Sequence, residues 1–205
     1  MSVERVGELL GSFEKLLMTN REMREKYAEE PEKFVDSELA LHDSIRSLSE
    51  LATAPNYSAI VKSSGTAGVL SLLVHENVDL AVAGAEVLTE LTDGDTLEEG
   101  DDGVVGFLDF LQHQKILETV LERIREQDSR VGDDDASRAV QTFLLLLENL
   151  FEARPSLCAE AASSTGLLKY CAERCAAEKF DATCAQAAEV LAVVLQSGSD
   201  ARQCM

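Results

Sequence analysis

The chain has 205 residues, 45% of them hydrophobic, and carries 38 acidic against 18 basic side chains, a formal net charge of −20. The hydrophobic content supports a packed fold in spite of the charge. The acidity works against direct contact with nucleic acid or an anionic membrane, whose phosphates would be repelled along most of the surface, and fits either a basic partner or plain solubility.

No apolar run approaches the roughly 20 residues of a membrane-crossing helix. The opening Met1-Ser2-Val3-Glu4-Arg5 lacks the basic-then-apolar order of a secretory leader. A soluble cytosolic or nuclear protein is expected.

Along the chain the apolar spacing is helical throughout. Val6, Leu9, Leu10, Phe13, Leu16 and Leu17 share one face, predicting an amphipathic helix over 3–18. A charged stretch, 20–30, follows. Pro31 suits a first helical turn, and Phe34, Leu41, Ile45, Leu48 and Ala52 mark a second long helix ended by Ala54-Pro55. A short helix over 56–63 and a medium one over 66–75 come next. Asn77 then caps a long helix over 78–92. This three-helix order returns as 102–113, 115–127 and 134–153, and again as 155–163, 165–177 and 181–196. The acidic segments 93–102 and 128–135 read as loops. Residues 200–205 resemble the opening of another short helix, with no polar cap in sight, so the array is expected to be cut at this end.

A sequence echo supports the repeat. Ala85-Glu86-Val87-Leu88 recurs unchanged as Ala188-Glu189-Val190-Leu191, each time inside a long helix-patterned segment. With Leu51, Leu91, Leu150 and Val194 as equivalent points, two of the three intervals fall near the about 40–47 residues of armadillo-type repeats. The expected organisation is a helical cap over 1–55, repeats over about 56–93, 102–153 and 155–198, and the start of a further repeat over 199–205.

Catalytic and metal chemistry find little support. His42, His75 and His113 lie in different segments, and no nucleophile elbow, phosphate loop, dinucleotide fingerprint or His-Glu-x-x-His is present. The cysteines at 158, 171, 175, 184 and 204 read as reduced, buried core thiols. Cys171 and Cys175 sit one helical turn apart, but no second ligand pair accompanies them. The acidic run Asp93, Asp95, Glu98, Glu99, Asp101 and Asp102 lacks the spacing of a calcium loop. No enzyme activity, cofactor or metal is expected.

Four stretches carry a resemblance: Pro31-Glu32-Lys33-Phe34-Val35-Asp36-Ser37-Glu38-Leu39; Glu90-Leu91-Thr92-Asp93-Gly94-Asp95-Thr96-Leu97; Glu148-Asn149-Leu150 with Arg154-Pro155; and Lys179-Phe180-Asp181-Ala182 leading into Glu189-Val190-Leu191. In this order and spacing they resemble the beta-catenin-like protein 1 family, spliceosome-associated proteins of armadillo type. Family members are several hundred residues longer, and their basic localisation run has no counterpart here. The resemblance implies an all-α, right-handed armadillo-type helical-repeat solenoid, nuclear, linked to pre-mRNA splicing complexes. It also implies binding of basic, localisation-signal-like segments of splicing-factor proteins.

On that reading the third helix of each unit lines a groove. Asp79, Glu86, Glu90 and Asp93 lie along one stripe of the 78–92 helix, with Ala83 among them, and Val78, Ala81, Ala85, Leu88 and Thr92 lie opposite. Stacking the units puts Glu50, Glu90 and Asn149 in one column, and Arg46, Glu86, Leu145 and Glu189 one turn earlier. Importin-type arrays place Asn in the first column and Trp in the second; only Asn149 matches, and the chain has no Trp. The candidate groove is Glu50, Glu86, Glu90, Asp93, Asn149, Glu152 and Glu189. The competing reading is a solvated helix face, or a structural piece that self-associates through its C-terminal repeat, Phe180 to Leu195.

Overall fold

The computed structural model describes residues 1–129, 134–164, 166–177 and 180–203, and every regular element among them is helical. The chain forms two compact units, residues 1–110 and 111–205.

The first unit starts with α1 (Val3–Lys26), capped by Ser2, whose side chain accepts from the Arg5 N–H at 3.2 Å. Its buried face is Val6, Leu9, Leu10, Phe13 and Leu17. The helix runs two turns beyond the apolar pattern because its polar end is held from outside. Asn20, fully buried, donates to Ser37 Oγ at 2.9 Å, and Arg24 pairs with Glu38 and Glu76 while stacking on the Phe34 ring at 4.8 Å.

The single long helix expected after Pro31 is divided. A 3₁₀ turn, Pro31–Lys33, leads into α2 (Val35–Ser47), and α3 (Glu50–Thr53) follows. At the break the N–H groups of Leu48, Ser49, Leu51 and Ala52 bond three residues back. This tighter winding rotates the chain so that Leu48 and Leu51 both reach the core.

Next come α4 (Tyr57–Lys62), α5 (Ser64–Leu72) and α6 (Val78–Thr92). Helix α6 is the centre of this unit. Leu80 through Ala85, Val87, Leu88, Leu91 and Thr92 are all buried, against α2, α3 and α5. Gly84 makes the α5 contact possible, because a Cβ there would sit 2.7 Å from Leu72 Cβ. The acidic segment expected as a loop holds a helical turn, α7 (Gly94–Glu98), capped by Asp93. Then α8 (Val104–His113) begins.

The second unit contains α9 (Ile116–Asp128), α10 (Asp134–Ala153), α11 (Pro155–Ser164), α12 (Leu167–Cys175) and α13 (Ala182–Gln203). Helix α10 packs on both α9 and α13, and Val140, Phe143, Leu144, Leu147, Leu150, Phe151, Val190 and Val194 form the core with Leu157 and Leu167. Helix α13 passes through the place where a separate helix was expected and continues to Gln203; Gly198 costs about 1 kcal/mol of helix propensity without ending it. Residues 130–133 of the expected 128–135 loop, and Cys204 and Met205, lie outside the described residues. Cys158, Cys171 and Cys184 are buried as expected, but Cys175 is exposed.

Candidate peptide-binding surface

Helix α6 is held at both ends. At its start Asn77 accepts from the Asp79 N–H at 3.0 Å and donates its own amide to Glu38 Oε2 at 2.9 Å. The Asn77 N–H donates to His75 Nδ1 at 3.0 Å, and His75 Nε2–H donates to Asn20 Oδ1 at 3.2 Å. These partners require the neutral ring. Burial, helped by the Arg24 charge and opposed by Glu38 and Glu76, holds the His75 pKa below its ordinary value of 6.5.

Protonating His75 removes the acceptor that the Asn77 N–H uses. The unfolded chain therefore takes up this proton at higher pH than the folded one. The stability contribution is complete above about pH 6.5 and is lost as pH falls below it. A pH series of thermal midpoints is expected to show a decline below pH 6.5 that His75→Gln flattens; parallel curves for the two proteins would refute this assignment.

At the other end of α6, the Tyr57 hydroxyl donates to the Leu91 carbonyl at 2.7 Å. The Tyr57 ring is fully buried and packs on Phe107 with centroids 5.1 Å apart. Asp101 accepts from the Ser58 N–H at 3.2 Å and from the Gly103 N–H at 3.3 Å. Although burial works against it, the bonds from Ser58, Gly103 and Tyr57 hold the Asp101 carboxyl below the usual aspartate value.

Between these anchors only a narrow strip of α6 meets solvent. Asp79, Glu86 and Glu90 are exposed, whereas Ala83, expected in the same stripe, is buried. Among the described residues neither Glu86 nor Glu90 forms an ion pair. Two other expected groove residues of this unit are locally occupied. Glu50 receives both Arg5 Nε at 2.9 Å and Nη2 at 2.5 Å, a two-pronged pair that holds its carboxyl below the usual glutamate value. Asp93 is exposed, but its carboxylate caps α7 through the Asp95 and Thr96 N–H groups.

In the second unit Glu152 and Glu189 are exposed and Asn149 is half-buried on α10. The packing of α10 on α13 gathers Glu152 and Glu189 around Glu148, a residue the sequence pattern did not single out for the groove. Its signal was its position one helical turn before Glu152. Burial raises the Glu148 pKa, the Gln186 amide bond partly offsets this, and the charges of Glu152 and Glu189 push it further up. In both units, carboxylates that are not locally neutralised can take Lys or Arg side chains.

Glu148 is then a cost to the fold once ionised. A raised folded pKa means stability that is full below about pH 4.5 and lost as pH rises through the folded value. Glu148→Gln is expected to raise the thermal midpoint at pH 7 and to leave it unchanged near pH 4. A midpoint lowered at pH 7 would show that the Gln186 contact outweighs the charge.

Among the described residues no helix is long and apolar enough to cross a membrane, and no group of His, Cys, Asp and Glu is arranged to hold a metal ion. A family profile described as "Catenin-beta-like, Arm-motif containing nuclear" matches residues 1–205. Beta-catenin-like protein 1 of Rattus norvegicus is 36% identical over 200 residues, and that of Homo sapiens 34%; each alignment covers 97% of this chain and 35% of the relative. The homologue from Schizosaccharomyces pombe is 28% identical over 193 residues, 93% of this chain and 33% of its own. The chain thus spans about a third of the length of these relatives. With an all-α fold and a match along its entire length, the chain belongs to the beta-catenin-like, Arm-motif family.

Proposed function

We propose that this protein is a non-enzymatic, nuclear binding scaffold that takes Lys/Arg-rich segments of proteins in pre-mRNA splicing assemblies. The observation that carries the reading is the Glu86–Glu90 strip, carboxylates without an ion pair among the described residues, on a helix that is mostly buried and anchored at both ends. A rigid display costs little ordering on binding. Glu148, Glu152 and Glu189 add a second set of carboxylates in the other unit. The splicing assignment rests on the family resemblance, and the nuclear one also on the family's description.

Each exposed ion pair is worth about 0–1 kcal/mol, so several must act together on one peptide. The test is titration with a labelled Lys/Arg-rich localisation-type peptide at low salt and at about 0.15 M, where the Debye length has contracted to about 8 Å. Saturable binding that weakens several-fold with salt is expected. No binding by a folded chain would defeat the reading.

One observation favours a second role. Phe180 is 76% exposed and Leu195 60%, apolar area on the second unit suited to association. Sedimentation over a wide concentration range decides: a strict monomer removes self-association.

A further inference from the structure

Three thiols gather where α12 meets α13, and the proposed function uses none of them. Cys175 is the last residue of α12 and is exposed; Cys184 is in the first turn of α13 and is buried. Cys175 Sγ lies 3.9 Å from the Cys184 carbonyl oxygen, to which it donates, and the Cys184 thiol is near enough to raise the Cys175 pKa. Cys171, one turn back on α12, is buried and close enough for its charge to couple with Cys175.

The flanking residues hold this arrangement. Arg174, next to Cys175, pairs with Asp181 at 3.5 Å and with Asp128 at 3.6 Å. Asp181 also accepts from the Cys184 N–H at 2.8 Å, which fixes the first turn of α13. The Cys175 sulfur is therefore held against the Cys184 backbone at a braced helix junction. Cys171 is the poorer partner for Cys175. Residues four apart on a helix keep their Cβ atoms about 5–6 Å apart, and a disulfide needs about 3.5–4.5 Å.

We propose that Cys175 is a site of reversible thiol modification by low-molecular-weight disulfides of the glutathione class, and that Cys184 resolves it into an α12–α13 disulfide. In the first step the Cys175 thiolate attacks one sulfur of the small disulfide. A protein–glutathione S–S bond forms, the glutathione S–S bond breaks, and the departing thiolate takes up the proton that Cys175 lost. In the second step the Cys184 thiolate attacks Cys175 Sγ and displaces the remaining glutathione, which takes the Cys184 proton. Two protein thiols lose two electrons, and one small disulfide becomes two thiols.

Burial and the adjacent Cys184 thiol push the Cys175 pKa up, so the exchange is slow at neutral pH and accelerates as pH rises. This separates a poised structural pair from a catalytic thiol, whose pKa would be depressed.

Trypsin places each cysteine of the cluster in its own peptide: residues 170–174 hold Cys171, 175–179 hold Cys175, and 180–202 hold Cys184. The 205-residue protein is incubated with excess oxidised glutathione at alkaline pH, alkylated, digested without reductant and mapped by mass. The expected product joins 175–179 to 180–202 with the loss of two hydrogens. In Cys184→Ser, glutathione is expected to stay on 175–179. A link between 170–174 and 175–179, glutathione retained on Cys175 in the unaltered chain, or an unmodified Cys175 would each overturn the proposal. The map of the unaltered chain is decisive even where the variant folds poorly.

Discussion

Gly103→Ala is expected to lower the thermal midpoint of the first unit by roughly 10 °C or more, while Gly7→Ala raises it slightly. The chemical change is one methyl group in each case, and the surroundings set the sign. A Cβ on Gly103 would lie 2.2 Å from the Ser58 nitrogen, 2.6 Å from the Tyr57 carbonyl carbon and 2.7 Å from Ser58 Cα. These are backbone atoms, so no rotamer change relieves the contact. Either α4 or the start of α8 must move, and Asp101 spans that approach through the Ser58 and Gly103 N–H groups. Overpacking of this kind costs about 1–3 kcal/mol or more. Each kcal/mol is worth roughly 4–8 °C in a domain of about this size. At Gly7, in mid-helix on α1, an added Cβ would meet nothing within 4 Å. There the substitution removes backbone freedom from the unfolded chain and gains about 0.5–1 kcal/mol. Equal midpoints for the two variants in differential scanning calorimetry would mean that the Tyr57–Asp101–Gly103 clamp does not contribute to stability.

The same clamp shows where local pattern stops being informative. The helices most accurately legible in the sequence, 78–92 and 134–153, have dense apolar spacing, and the first also has Asn77 as a cap. Their boundaries follow from residues three and four apart. The segment 93–102 read as a solvated loop because its carboxylates looked alike. Asp93 is a helix cap, however, and Asp101 a backbone clamp, because of partners over 40 residues away in the second case. Likewise the two extra turns of α1 depend on Glu38 and Glu76 reaching Arg24. No spacing within 19–26 contains that information. At the break at Leu48-Ser49 the tighter winding puts both Leu48 and Leu51 in the core.

The candidate surface was legible to the same degree. Exposure of Glu86 and Glu90 follows from their position on a helix whose residues are otherwise mostly apolar. The pairing of Glu50 with Arg5 does not, since it joins residues 45 apart in the chain. For Glu148 the spacing from Glu152 was legible, but its contacts with Glu189 and Gln186 came only with the packing of α13 on α10. What distinguishes these carboxylates from one another is which cation, amide or helix terminus the fold has already assigned to each.

That distinction makes the double charge reversal Glu86→Lys/Glu90→Lys the most informative change at the surface. It is expected to weaken binding of a Lys/Arg-rich peptide at low salt by about 30-fold, roughly 2 kcal/mol. Two attractive contacts, each worth up to about 1 kcal/mol, become repulsive. The fold should tolerate the change. Both side chains are exposed and neither is ion-paired among the described residues. A like-charged i,i+4 pair of glutamates is replaced by a like-charged pair of lysines, so the few tenths of a kcal/mol of helix repulsion persist. Glu50→Lys is the contrasting case. It breaks the Arg5 pair, so it should cost some stability and change peptide affinity less, because that carboxylate is already engaged. Reversing Glu152 and Glu189 in the second unit then apportions the binding between the two sets. If affinity is unchanged by both double reversals, the carboxylates are a solvated face and the binding proposal fails. If only the second pair matters, the peptide is held on α10 and α13. Loss from the α6 pair, with an unaltered thermal midpoint, establishes the anchored acidic strip as the place where a basic partner is held.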